Sequence, residues 1–172
     1  MKKIKLVCCD IDGTLTDGTV FYSERGEELK QFSHRDGRAF HLIQEKTGGK
    51  VRVALITSEE GGINEQRAKK FLRLGTIVAF YQGSIGKYKL EAVTRLCERY
   101  GVDIREVLFI GDDTNDIEAL EGCGYCACPS DAVKDVKEID GIMVSDNLGG
   151  RGAVRDIINR LLNQKAFEGQ EG

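Results

Sequence analysis

Short apolar runs alternate with longer amphipathic stretches along most of the chain. The runs predict strands over 4–9, 51–57, 77–81, 107–110, 125–128 and 141–144. The stretches between them predict helices over 36–46, 63–74, 87–100, 114–120, 132–138 and 152–162, the first with Asp36 as its N-cap. Nearly continuous apolar strands separated by helices are typical of a parallel sheet covered on both faces. We therefore predict a doubly wound, Rossmann-like α/β fold.

One segment interrupts this alternation directly after the first predicted strand. Residues 19–23 and 29–33 are rich in strand-forming side chains and flank a turn that contains Gly26, so they predict a β-hairpin. Because ligands bind at the carboxyl edge of such sheets, we expect the hairpin to form a flap over that edge. The hairpin is too small to be a cap domain.

Length and composition narrow the possible functions. A chain of 172 residues predicts one domain, which we place at 1–164, followed by a flexible polar tail at 165–172. The formal net charge of −3 argues against a nucleic-acid partner. No apolar run has the length of a signal peptide or a membrane span, so we expect no membrane partner. Six cysteines without secretory features favour reduced thiols in the cytoplasm.

Polar and charged side chains follow four of the predicted strands. They are, in chain order, Asp10 and Asp12, Thr57 and Ser58, Lys87, and the GDDTND run at 111–116. The carboxyl ends of parallel strands share one edge, so these groups are expected to converge. Carboxylates with one ammonium and one hydroxyl suit a phosphoryl group bound with Mg²⁺, and a carboxylate held in line can form an aspartyl-phosphate. Taken singly, the Asp-Gly pair is also typical of a turn, and the acidic run of a helix N-terminus.

The four sets together resemble the motifs of the haloacid dehalogenase-like hydrolase superfamily, in the same order. The motifs are DIDGT at 10–14, then Thr57, Lys87 and 111–116. The resemblance implies that Asp10 is the nucleophile and a metal ligand. It implies that Asp12 is the general acid/base and binds Mg²⁺ through its carbonyl.

The same resemblance assigns the remaining site residues. Asp112 would complete the protein ligands of Mg²⁺, with Asp113 and Asp116 beside it as further ligands through water or as supporting groups. Thr57, Ser58 and Lys87 would bind the phosphate.

Short gaps between the motifs leave no room for a cap domain. Among capless members of this length, the chain resembles the 3-deoxy-octulosonate 8-phosphate phosphatase subfamily. The likeness extends to four further segments: LTDG at 15–18, RDG at 35–37, YQG at 81–83 and GGRGAVR at 149–155. This implies a homotetramer in which the hairpin and a neighbouring subunit close the site. It also makes Arg151 a candidate substrate-binding residue.

Glu59 departs from the Gly-Arg pair that octulosonate phosphatases carry after the second-motif threonine. A glutamate at this position resembles the pattern of the sister group that acts on 2-keto-3-deoxy-nonulosonate 9-phosphate. It also resembles the phosphatase-like domain of acylneuraminate cytidylyltransferases. Arg67 and Lys70 stand where the nonulosonate enzymes carry partners of that glutamate. Arg67 can fork onto a substrate carboxylate, and Lys70 adds charge on the same helix face. A solvated helix with a routine charge pattern explains these residues equally well.

The leading hypothesis is a magnesium-dependent phosphatase for a phosphorylated 2-keto-3-deoxy sugar acid, with the nonulosonate slightly favoured. One alternative is a regulatory or oligomerising domain without hydrolytic activity; retention of a nucleophile argues against it. Another is a phospho-acceptor receiver, which has an acidic pair after its first strand and the acceptor aspartate after a central strand. The DIDGT segment at 10–14 and the run at 111–116 fit that pattern poorly. The cysteines at 123, 126 and 128 supply three thiols without a second cluster, so we interpret them as packing residues.

Overall fold

A parallel sheet of six strands forms the centre of the protein in the computed structural model, which describes residues 2–170 except for the side chain of Glu28. The strands are β1 (Leu6–Cys9), β2 (Val20–Ser23), β3 (Gly26–Lys30), β4 (Arg52–Ile56), β5 (Ala79–Tyr81), β6 (Val107–Ile110), β7 (Tyr125–Cys128) and β8 (Met143–Val144). The α-helices are α1 (His34–Thr47), α2 (Gly62–Arg73), α3 (Lys87–Tyr100), α4 (Ile117–Gly122), α5 (Lys134–Lys137) and α6 (Ala153–Asn163).

The strand order in the central sheet is β5-β4-β1-β6-β7-β8, and every pair is parallel. The chain adds β4 and β5 on one side of β1 and then returns to place β6 on the other side. Strand order therefore reverses at β1, and the crevice beyond the carboxyl end of such a strand is where doubly wound sheets bind ligands. The predicted fold class is confirmed, and residues 2–170 contain no cap domain.

Helices cover both faces of the sheet, which explains why the strands are apolar throughout. On β1, Val7 and Cys9 belong to a core shared with α1, α2 and α6. The alternating residues Leu6 and Cys8 belong to a second core shared with α3, α4 and α5. All four side chains are fully buried, so the strand has no solvent-facing side.

The hairpin forms a separate antiparallel sheet of β2 and β3, with register from Val20 opposite Lys30 to Ser23 opposite Gly26. Its second strand was predicted over 29–33 and instead ends at Lys30. The reason is that Ser33 caps α1: its Oγ accepts a hydrogen bond of 3.1 Å from the Arg35 N–H. The helix consequently begins before Asp36, and the prediction of Asp36 as N-cap is corrected.

Asp36 instead joins α1 to the beginning of α6. Its two carboxylate oxygens accept the backbone N–H groups of Gly152 and Arg155, each at 3.0 Å. The residue is 1 % exposed, and burial raises the pKa of its carboxyl above the ordinary value. One aspartate therefore supplies acceptors for the otherwise unpaired N–H groups at the start of another helix.

The tail predicted to fray from Lys165 is packed as far as it is described. Phe167 is 1 % exposed and belongs to the core beside α1 and α6. Ile4 donates its N–H to the Ala166 carbonyl at 2.8 Å, and Glu168 donates its N–H to the Ile4 carbonyl at 2.9 Å. One buried aromatic ring and two backbone hydrogen bonds outweigh the polar composition of this segment. Residues 171–172 of the predicted tail lie outside the described residues.

Candidate active site

Three carboxylates converge at the carboxyl edge of the sheet, beside the point where strand order reverses. Asp10 follows β1, Asp112 follows β6, and Asp116 ends a short 3₁₀ turn before α4. One oxygen from each lies within 4.8 Å of the others. Asp10 is 4 % and Asp116 is 0 % exposed, so two of the charges are buried. We call Asp10, Asp112 and Asp116 the acidic trio.

Lys89 supplies the cation of this cluster. Its Nζ lies 2.8 Å from Asp10 Oδ1 and 2.5 Å from Asp116 Oδ1, and it also donates to the Asn115 side-chain oxygen at 3.3 Å. The ammonium side chain is 1 % exposed. Packing of α3 against the sheet therefore inserts this lysine between the ends of β1 and β6.

The structure does not bring Lys87 to the site, so this prediction is corrected. Lys87 is exposed at the first position of α3, where its Nζ lies 5.3 Å from the ring of Tyr88. Successive helix positions are about 100° apart around the axis, so two residues on the same short segment point to different faces. Lys89, two positions later, faces the acidic trio.

Asp116 fixes the loop that follows β6. Its Oδ2 accepts the backbone N–H groups of Asp112 at 3.1 Å and Asp113 at 3.3 Å. Gly111 makes room for it, because a Cβ there would lie 2.5 Å from the Asp116 Cγ. Asp113 is exposed and accepts the Thr114 N–H at 2.6 Å. Its role as a ligand through water stays a prediction.

Asp112 is held from the loop after β1. The Thr14 hydroxyl donates to Asp112 Oδ1 at 2.8 Å. Gly13 has a φ of 90°, and a Cβ there would lie 2.0 Å from Asp112 Oδ2. Only glycine combines this left-handed backbone with so close an approach. The DIDGT segment thus shapes the position of a carboxylate from a distant strand.

Burial and mutual repulsion dominate the electrostatics of the trio. Burial raises the pKa of Asp112 to about 7, an effect that Asp116 reinforces and the Thr14 hydrogen bond opposes. Burial and the charge of Asp116 likewise raise the pKa of Asp10 well above its ordinary value, against the opposing charge of Lys89. Burial would lower the pKa of Lys89, but Asp10 and Asp116 outweigh it and raise that pKa. When all three carboxylates are ionised, the trio carries more negative charge than one ammonium offsets.

This donor set fits a hard divalent cation. Carboxylate oxygens are the ligands that Mg²⁺ and Ca²⁺ take in proteins, and a cation among the trio would relieve the repulsion that raises the pKa values of Asp10 and Asp112. Asp10 and Asp112 are the residues with a free oxygen for this purpose. Asp116 already binds Lys89 and two N–H groups.

The side chain of Asp12 is not part of the trio and accepts hydrogen bonds from three donors. Lys30 Nζ lies 2.9 Å from Asp12 Oδ1, whereas the Thr57 hydroxyl and the Asn64 amide nitrogen lie 3.2 and 2.7 Å from Oδ2. Sequence reasoning placed Thr57 at the site but missed Lys30 and Asn64. Asn64 lies in helical register with the buried Ala68 and Phe71, which is a detectable signal. Nothing in the hairpin pattern singled out Lys30.

Ser58 lies between the Asp12 donors and the loop that follows β6. Its hydroxyl donates to the Ser84 carbonyl at 3.0 Å and accepts from the Asn115 amide at 3.0 Å. Asn115 also accepts from Lys89. The structure therefore brings Asp10, Asp12, Thr57, Ser58 and Asp112 to one edge, as predicted, although their roles remain predictions.

The four predicted substrate-binding residues lie in different settings. Arg67 stacks on Phe71, with 4.3 Å between its Cζ and the ring centre, and shares a groove between α1 and α2 with Lys70 and the two histidines. Its Nε is buried without a hydrogen-bond partner, and burial lowers its pKa. Glu59 is exposed and does not line that groove. Arg151 is half exposed and pairs with Asp17 at 3.1 Å.

The cysteines are not brought together as a metal site. All six are free thiols, and among the described residues no three sulfurs lie close enough to share an ion. Cys8 and Cys128 are fully buried in the core, and burial raises the pKa of Cys128 to about 11. A protonated, buried thiol acts as a small apolar side chain.

Comparison with known proteins identifies the class that this fold and site define. A model of the haloacid dehalogenase-like hydrolases matches residues 76–150. The chain is 32 % identical to the 3-deoxy-D-manno-octulosonate 8-phosphate phosphatase of Haemophilus influenzae over 94 % of its own length and 84 % of that protein. For the Salmonella typhi protein of the same name the identity is 35 %, over 94 % and 80 %. The chain belongs to the haloacid dehalogenase-like hydrolases, and within them to the family of these phosphatases.

Solved structures give the same assignment. The cobalt-bound deoxy-D-mannose-octulosonate 8-phosphate phosphatase of Haemophilus influenzae superposes with a TM-score of 0.82 at 32 % identity, covering 94 % of this chain and 88 % of that one. The Moraxella catarrhalis phosphatase in complex with magnesium, phosphate and a KDO molecule also gives a TM-score of 0.82, at 29 % identity, covering 95 % of this chain and 87 % of that one.

Among the described residues, no helix has the length and apolar character needed to span a membrane.

Proposed function

We propose that the protein is a magnesium-dependent phosphatase that removes the terminal phosphate of a 2-keto-3-deoxy sugar acid through an aspartyl-phosphate. The observation that carries this proposal is the acidic trio with Lys89, placed where strand order reverses in a chain of the octulosonate phosphatase family. A binding module has no need of a buried nucleophile beside a buried ammonium.

Asp10 would attack phosphorus. In this step a bond forms between an Asp10 oxygen and phosphorus, and the bond between phosphorus and the sugar oxygen breaks. Asp12 donates a proton to the departing oxygen, then accepts one from the water that attacks the phospho-enzyme. That attack releases inorganic phosphate and restores the Asp10 carboxylate.

Lys89 and the loop after β6 prepare Asp10 for this role. The ammonium binds Asp10 Oδ1, so the second oxygen is the one directed to the phosphoryl group. Asp10, Asp112 and the Asp12 carbonyl would hold Mg²⁺, with Asp116 fixing the loop. When bound, Mg²⁺ supplies positive charge that lets a dianionic phosphate approach these carboxylates.

The nine-carbon substrate is the finer part of the proposal. Glu59, Arg67 and Lys70 favour nonulosonate 9-phosphate, whereas the named relatives are octulosonate 8-phosphate phosphatases. Arg67 and Lys70 line the same cationic groove, which suits a substrate carboxylate. That groove lies between α1 and α2, and none of the acidic trio lines it. We therefore propose that it serves the site of a neighbouring subunit.

The test is hydrolysis of both sugar-acid phosphates by purified protein with Mg²⁺, measured as phosphate release. Asp10→Asn is expected to lower kcat by at least about 1,000-fold, because the nucleophile is lost. Asp140→Asn, an exposed aspartate after α5, is the matched control. Unchanged turnover in Asp10→Asn contradicts the mechanism. A higher kcat/KM for octulosonate 8-phosphate reverses the substrate preference but not the reaction.

A further inference from the structure

The Asp12 carboxylate is held by donors from three separate parts of the chain. Lys30 from the hairpin binds Oδ1 at 2.9 Å. Thr57, after β4, and Asn64, in the first turn of α2, bind Oδ2 at 3.2 and 2.7 Å. Both oxygens are therefore engaged, and the side chain cannot rotate without breaking a hydrogen bond.

Lys30 differs from the rest of the hairpin in its burial. Its side chain is 1 % exposed, whereas Phe21 and Leu29 on the same two strands are 60 % and 64 % exposed. Its ammonium also lies 3.8 Å from Glu27, a weaker contact than the 2.9 Å to Asp12. A buried lysine is rare unless it is paired. The hairpin thus holds the buried ammonium of Lys30 against Asp12.

Asn64 is buried in a way that packing alone does not explain. The residue is 0 % exposed, its amide nitrogen faces Asp12, and its Oδ1 is buried with no hydrogen-bond partner. The nitrogen is the end that faces Asp12, because a carboxylate only accepts hydrogen bonds when ionised. An unpaired buried oxygen destabilises the fold relative to an apolar side chain at this place. Its value must therefore lie in the bond to Asp12.

We infer that Lys30 and Asn64 are positioning residues that aim the Asp12 carboxyl group for proton transfer, so that the acid/base step requires the hairpin in place. This inference rests on the proposed function, in which Asp12 is the general acid/base. Proton donation depends on the orientation of the donor, which makes it more sensitive to these contacts than attack by Asp10 is. The hairpin is then part of the chemistry as well as a cover.

Two esters with different leaving groups test this directly. A sugar alkoxide needs a proton from Asp12 to leave, whereas nitrophenolate from p-nitrophenyl phosphate leaves without one. The value of kcat/KM covers substrate binding and the first phosphoryl transfer, so it includes the acid step and excludes hydrolysis of the phospho-enzyme. For Lys30→Met we expect kcat/KM on the sugar-acid phosphate to fall about 10- to 100-fold, part of the usual contribution of a general acid. We expect a change of less than about threefold on p-nitrophenyl phosphate.

Controls separate orientation from folding and from phosphate binding. Lys30→Arg keeps a donor and is expected to recover most of the loss, and Asn64→Ala is expected to show the same selective loss as Lys30→Met. Lys134→Met, at a lysine with 81 % of its side chain exposed, is the matched control. Thermal unfolding of each variant checks the fold, and Lys30→Met keeps the test valid if Asn64→Ala does not fold.

Equal losses on both esters in Lys30→Met overturn the inference, because they indicate direct phosphate binding or a general defect. No loss on either ester overturns it as well. Failure of the proposed function gives a different result: the wild type then hydrolyses neither ester, or Asp10→Asn is as active as the wild type.

Discussion

Among single side chains, Lys89 has the largest predicted effect on both stability and activity. Among the described residues, its ammonium is the one cation at hydrogen-bond distance from Asp10 and Asp116. Lys89→Met removes it and leaves buried carboxylates unpaired, so we expect the free energy of unfolding at neutral pH to fall by about 3 kcal/mol. Turnover should fall by at least about 100-fold, because Asp10 loses its orientation. Urea unfolding and the phosphate-release assay measure the two effects.

Lys87→Met is the matched control for Lys89, since it removes a lysine two positions earlier on the same helix. Lys87 is exposed, so its replacement should change stability by less than about 0.5 kcal/mol. A greater loss of activity in Lys87→Met than in Lys89→Met would return the phosphate-binding role to Lys87.

We expect Asp112 to make cation binding depend on pH. Its pKa of about 7 means that below this pH the ion-free carboxyl holds a proton, which Mg²⁺ must displace. Affinity for Mg²⁺ should therefore fall by about tenfold for each pH unit below about 7 and level off above it. Isothermal titration calorimetry across this range, in buffers of different ionisation enthalpy, measures both affinity and proton release. Equal affinity on both sides of pH 7 would mean that Asp112 is already ionised.

Of the structural elements, the glycine-rich loop before α6 bears most directly on the site. Gly149 packs on the turn after β1 so closely that a Cβ would lie 1.9 Å from the Gly13 carbonyl oxygen. Gly150 donates its N–H to the Thr14 carbonyl at 3.1 Å. This loop therefore supports the same turn that shapes the Asp112 environment.

Gly149→Ala should displace that turn. We expect the free energy of unfolding to fall by about 1–3 kcal/mol, the usual cost of overpacking, and kcat to fall with it. Gly62→Ala is the control, because nothing lies within 4 Å of the added Cβ. Normal activity and stability in Gly149→Ala would show that the turn tolerates movement.

The sequence predicts elements better than it predicts side-chain partners, and α3 shows why. Its bounds of 87–100 were predicted as observed, because an amphipathic pattern over fourteen residues is a strong signal. The choice between Lys87 and Lys89 depends on which face packs on the sheet. Lys89 lies in register with the buried Ala92, Val93 and Leu96, so the helical period did contain the answer. The motif spacing alone did not.

Long-range contacts explain the remaining differences. Residues 165–170 of the tail are packed because Phe167 enters a core built from both ends of the chain. Asp36 accepts hydrogen bonds from residues more than 110 positions away. No local pattern contains such information. Lys30 is a similar case, since its partner Asp12 lies across the space between the hairpin and the main sheet.

At the scale of the whole molecule, the hairpin has apolar side chains that stay exposed in a single subunit. Phe21, Tyr22 and Leu29 are between 60 % and 69 % exposed, and they lie on strands that pair only with each other in the described chain. Exposed apolar side chains clustered on one element are typical of interaction surfaces. With no cap domain to close the site, a neighbouring copy is the partner that the family resemblance predicts.

We therefore predict a homotetramer in which each hairpin and a neighbouring subunit together close a site. The double change Phe21→Asp and Leu29→Asp should dissociate it, because charges in an apolar interface lose their hydration. Light scattering coupled to size-exclusion chromatography measures the mass, and kcat/KM should fall at least about tenfold as the subunits separate. Tyr88→Asp, at an aromatic residue of α3 with 53 % exposure, is the matched control and should keep both mass and activity. A wild-type monomer with full activity would show that the hairpin closes the site without a neighbouring subunit.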